Sequence, residues 1–167
     1  MTHTTRRRFV RAIGATTVAG TAASATAKPV LASPRTQGSG TGSITGLEAT
    51  VIRERGGNRF EERVLTGIAT GTLEGTFEQH VSGMVHKSGR VVFDGTMIFD
   101  GQVGDCGEGT LDLGISGRGH ILTPGFPITE ASVRVINQPT NTIAVTGTGT
   151  VFQEGPALTY EIQYVCR

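Results

Sequence analysis

The chain has no tryptophan, two tyrosines and two cysteines, and aromatic residues make up 5% of its 167 positions. A core with so few rings must rest on Val, Ile, Leu and the seven Phe. Lysine is nearly absent too, occurring only at Lys28 and Lys87. No basic run follows Arg11, so the clustered positive stripe that a nucleic-acid partner calls for is missing. No stretch reaches the roughly 20 strongly apolar residues of a membrane-spanning helix. Downstream of the N-terminal segment, apolar residues never recur at three and four over a helical length, which excludes a long helix there. Catalytic signatures are lacking as well: there is no Gly-x-Ser-x-Gly elbow, no Ser-x-x-Lys and no His-Glu-x-x-His. Gly117-Arg118-Gly119 and Gly147-Thr148-Gly149 lack the helix that a dinucleotide site requires, and no cofactor is expected.

What is present begins with Thr5-Arg6-Arg7-Arg8-Phe9-Val10-Arg11, placed directly before an uncharged stretch from Ala12 to Ala27. A basic n-region, an h-region of small and apolar residues, and the small-residue exit Ala25-Thr26-Ala27 match a twin-arginine signal, with Arg6 and Arg7 as the export pair. Residues 1–27 are therefore read as a cleaved leader, which implies the twin-arginine export machinery as a partner and a secreted or extracytoplasmic location. The alternative, a basic tail before a surface helix, needs polar residues alternating along that helix, and no charge follows Arg11 within it. No cysteine follows the h-region, so no lipid anchor is expected and the cleaved chain keeps no stable membrane anchor. Arg6, Arg7, Arg8 and Arg11 supply four of the 15 basic residues, whereas all 14 acidic ones lie downstream, so the remainder carries about −3.

Residues 28–43, KPVLASPRTQGSGTGS, have the composition of a flexible linker. The rest, 44–167, is one domain's worth of chain. Its apolar pattern has period two, the mark of strands with one buried face. Leu73, Phe77, Val81 and Val85 share one parity against Glu74, Thr76, Glu78, His80, Ser82 and His86, and Lys87-Ser88-Gly89 then supplies a turn. Val91, Phe93, Met97 and Phe99 repeat the pattern. So do Leu111, Leu113 and Ile115; Val133 and Val135; Ile143, Val145 and Val151; and Leu158, Tyr160, Ile162 and Tyr164. Weaker runs near Leu47 to Glu54 and Phe60 to Leu65 bring the strand count to about eight.

These runs predict an all-β fold, either two stacked sheets or a single closed antiparallel barrel of about eight strands, which also removes exposed edges. The length of the run from Leu73 to His86 and the glycines inside strand patterns (Gly71, Gly75, Gly83, Gly95, Gly114, Gly147 and Gly149) favour the barrel, because small barrels need bends and close backbone approaches. Gly107-Glu108-Gly109-Thr110-Leu111, the strand Thr146-Gly147-Thr148-Gly149-Thr150-Val151 and the Gly-Thr-apolar rhythm from Gly67 onward resemble the allene oxide cyclase and dirigent-like superfamily, in particular its bacterial members. The resemblance implies an eight-stranded barrel whose lumen holds a small apolar molecule and in some members steers a cyclisation or radical coupling. It carries over no catalytic residue.

Two cysteines in an exported chain favour a disulfide between Cys106, in a glycine-rich turn, and Cys166, next to the C-terminus. The rival, a reactive or metal-binding thiol pair, lacks Cys-x-x-Cys spacing. Glu78, His80 and His86 share one strand parity, and His120 ends a later run, but same-face neighbours repeat at about 7 Å. His86 therefore stands too far from His80 for one ion, and a polar outer face is expected in place of a metal site. The acid pairs Glu61 with Glu62 and Asp105 with Glu108 read as surface charge. Arg118 and Arg134 become candidates if a pocket opens beside them. Phe77, Phe93, Phe99 and Val145 are the candidate lumen lining. Three function classes follow: a barrel binding a small apolar ligand, a cyclase or isomerase shaped by the same lumen, and a structural cell-surface module without ligand.

Overall fold

The computed structural model of the protein describes residues 34–121 and 127–167. Arg6, Arg7 and the rest of the segment read as a signal lie outside them. Eight strands, β1 (Thr36–Arg55), β2 (Asn58–Gly71), β3 (Leu73–Val85), β4 (Arg90–Val103), β5 (Glu108–His120), β6 (Ile128–Val135), β7 (Val145–Glu154) and β8 (Ala157–Cys166), pair in chain order and close into one antiparallel barrel. Among the described residues no helix is long and apolar enough to cross a membrane.

Alternation sets the two faces. Phe77, Val81 and Val85 on β3, Val91, Phe99 and Val103 on β4, and Leu111, Leu113 and Ile115 on β5 are all buried, while the opposite parity meets solvent. Closure puts every inward face on one shared core. Gly56 and Gly57 both take positive φ (60° and 78°), which lets the β1–β2 hairpin turn in two residues with the twist of its strands.

Thr36 to Ser43, read from composition as linker, are strand and pair with Tyr164 to Ala157 of β8. The reason is complementarity of size. Gly38, Gly40 and Gly42 face Ile162, Tyr160 and Leu158 in register, so the small side of this seam is what the large side needs. A Cβ on Gly40 would run into the Tyr160 hydroxyl.

That hydroxyl pins the seam. It accepts from the Leu73 N–H at 2.7 Å and donates to the Thr70 carbonyl at 3.0 Å, tying β8 to the corner between β2 and β3. Burial pushes its pKa above the usual 10.0, and the Leu73 hydrogen bond opposes the rise. Replacing it by Tyr160→Phe leaves both backbone groups short of a partner, with an expected loss of about 1–3 kcal/mol in urea denaturation. Because the folded chain holds this proton to higher pH than the unfolded chain, the contribution is intact below about pH 10 and is lost as pH rises through the folded value. The variant should lose less stability than the wild type as pH rises above about 10. Equal alkaline losses would exclude this titration as their source.

Candidate functional site

The inward residues form rings around the barrel axis. Ile44, Gly67, Phe77, Phe99 and Leu111 stand in one continuous register row, and Leu47, Leu65, Gln79, Met97, Leu113 and Val135 in another. Within these rings lies an apolar cavity of about 90 Å³. Phe77, Phe93, Phe99 and Val145, the four lumen candidates, all line it, and Tyr160 joins them.

The rings of Phe77 and Phe93 lie over Gly67 and Gly117, their register partners on the adjacent strands, so closely that a Cβ on either glycine would strike them. Glycine thus lets an aromatic side chain lie against the wall and keeps the space inside. Arg134 and Thr148 are the last pair of the β6–β7 ladder. Together with Gln163 they form a polar rim on the cavity where those strands part.

The other end of the lumen mixes polar side chains with apolar walls. A second space of about 30 Å³ is lined by Glu61 and Arg63 and shares Gln79, Phe93, Thr129 and Gln153 with the first. Glu61 is 5% exposed. Arg63 donates to its Oε2 through Nε (2.9 Å) and Nη2 (2.6 Å), and Arg59 Nε lies 2.9 Å from its Oε1. Thr129 Oγ1 donates to Gln153 Oε1 at 3.2 Å, and Gln153 Nε2 donates to the Gly155 carbonyl at 2.9 Å.

Glu61 therefore departs from its reading as surface charge, while Glu62 beside it is exposed as expected. The alternation Arg59, Glu61, Arg63, Leu65 held the signal, since the buried Leu65 shares their parity, but charge suggested solvent. Gln79, Thr129 and Gln153 were missed because polar side chains likewise suggested solvent.

The remaining candidates do not converge. Glu78 and His80 form an exposed pair with Oε1 and Nε2 2.6 Å apart, on the polar outer face. His86 is half-buried, and its Nε2 has no hydrogen-bond partner among the described residues. His120, Arg118, Asp105 and Glu108 are exposed. Among the described residues no group of three or more His, Cys, Asp or Glu is placed to hold a metal. Cys106, in the 3-10 turn Gly104–Cys106, is joined to Cys166 with a Cα–Cα distance of 5.2 Å.

No protein-family model matches the chain. No curated protein matches it either. Among solved structures the chain is similar to the crystal structure of a protein of unknown function, from the DUF3224 family of Shewanella oneidensis MR-1, at 16% identity and a TM-score of 0.58. The match covers 80% of this chain and 98% of the other, a likeness of fold between two small β-barrel proteins.

Proposed function

We propose that the barrel binds a small apolar molecule in its lumen. The observation that carries this reading is the apolar cavity of about 90 Å³ walled by Phe77, Phe93, Phe99 and Val145, kept open where glycines let rings lie flat. The volume is below the roughly 300–1,000 Å³ of drug-sized pockets. It is also below the roughly 150 Å³ of an apolar cavity that takes benzene. The occupant is accordingly a small hydrocarbon group, or the end of a longer molecule whose remainder leaves past Arg134, Thr148 and Gln163. The same modest volume favours the second reading, a structural barrel without ligand.

The likeness to allene oxide cyclase and dirigent-like barrels belongs to this proposal, supported by the closed eight-stranded barrel with an apolar lumen. Catalysis has less support than binding. Tyr160 is the lumen group with a shifted pKa; its hydroxyl is engaged by backbone groups, and the upward shift keeps it protonated at neutral pH. It serves as a pin. Export through the twin-arginine route is likewise proposed, and the Cys106–Cys166 bridge supports it, since such bonds persist in oxidising compartments.

Native mass spectrometry of the chain recovered from outside the cell tests both points. The expected species begins at Lys28 and releases a small molecule on denaturation. A chain found only inside the cell with its first 27 residues still attached overturns the export proposal. Absence of bound mass, together with unmoved lumen methyl signals in cyclopentane-saturated buffer, overturns binding.

A further inference from the structure

Gln79 stands in the row Leu47, Leu65, Gln79, Met97, Leu113 and Val135, one amide among apolar side chains. It lines both the larger cavity and the smaller space beside Glu61 and Arg63. Its neighbours in that space are satisfied: Glu61 by Arg59 and Arg63, Thr129 by Gln153, and Gln153 also by Gly155. The Gln79 side chain has no hydrogen bond to any described residue, although it offers two N–H donors and a carbonyl acceptor. Gln79 is half-buried, so its amide keeps accessible surface and stands free to meet an occupant of the lumen, whereas a position selected for packing alone would carry leucine or methionine.

We infer that Gln79 is the recognition group of the lumen, and that the ligand is a small apolar molecule carrying one neutral oxygen, of the ketone or alcohol type. Neutrality follows from the surroundings. The arginines at this end are already matched to Glu61, which leaves an uncharged amide to meet the ligand. The inference rests on the binding reading above and adds the chemistry of the ligand's polar end.

The test compares cyclopentanone with methylenecyclopentane, its hydrocarbon isostere, titrated against the mature oxidised wild type and Gln79→Met and read by shifts of the Val145, Val151 and Leu111 methyl signals. Methionine nearly conserves volume and removes the amide. Cyclopentanone should weaken about fivefold in the variant, the worth of one neutral hydrogen bond, while methylenecyclopentane binds as well as before or better. The ligand-free variant should melt at or above the wild-type temperature, because no protein partner is lost. Hydrocarbon binding with no change in ketone affinity between the two proteins would overturn the inference and leave the binding reading standing. Failure of both probes to bind the wild type would remove both. A lower melting temperature for Gln79→Met would show that the amide serves the fold, which also overturns the inference.

Discussion

Reduction of the Cys106–Cys166 bond should lower the stability of the barrel by about 4 kcal/mol, the chain-entropy value for a loop of about this length. The bridge closes 60 residues of separation, and its Cα–Cα distance of 5.2 Å is ordinary for an unforced cross-link. Its position adds to the effect. Cys166 ends β8, the strand that closes the barrel against β1, so the bond ties the closing strand to the turn after β4. Thermal melts with and without reductant should differ by roughly 10–20 °C, and the double variant Cys106→Ala, Cys166→Ala should reproduce the reduced curve. Coincident melts would show that β8 is held by its ladders alone.

Phe99→Ala should cost about 3–5 kcal/mol in urea denaturation, the range for emptying a packed aromatic site. Phe99 is 1% exposed and stands in register between Phe77 and Leu111, with strand neighbours on both sides that cannot collapse into the gap without breaking their ladders. Phe152 supplies the contrast. It is 46% exposed on the outer face, so Phe152→Ala should stay within about 0.5 kcal/mol. Similar losses at both positions would mean that burial inside the barrel is not what stabilises it. Phe99→Ala has a second expected consequence, since the vacated volume adjoins the lumen. The variant should admit probes larger than cyclopentane while melting lower, which separates room from rigidity.

The strands were legible because period two survives wherever one face is buried. Phe77, Val81 and Val85 announce β3 as clearly as Leu111, Leu113 and Ile115 announce β5. Closure was legible from glycines inside strands, and the cysteine pairing from count and position. Two things were not. The start of β1 is hidden in Gly38, Gly40 and Gly42, which look like linker until Ile162, Tyr160 and Leu158 are known to lie opposite. The polar groups at one end of the lumen are hidden because Glu61 and Arg63 carry charge, and their burial depends on each other. A single strand pattern reports which way a residue faces; it does not report whether a partner inside makes that direction tolerable. The Phe77 and Phe93 rings show the same limit, since their place against the wall depends on glycines on neighbouring strands.

The seam between β1 and β8 sets the order in which the chain can fold. Every other ladder joins strands adjacent in sequence, so hairpins can zip outward from their turns over short chain distances. Thr36 must find Tyr164 across nearly the whole domain, and the entropy lost in that search is recovered only once the ring is complete. Before closure the molecule is an open ribbon with two sticky margins. With its long chain separation, latching those margins is expected to be the slow step of folding, and Tyr160 sits on the latch.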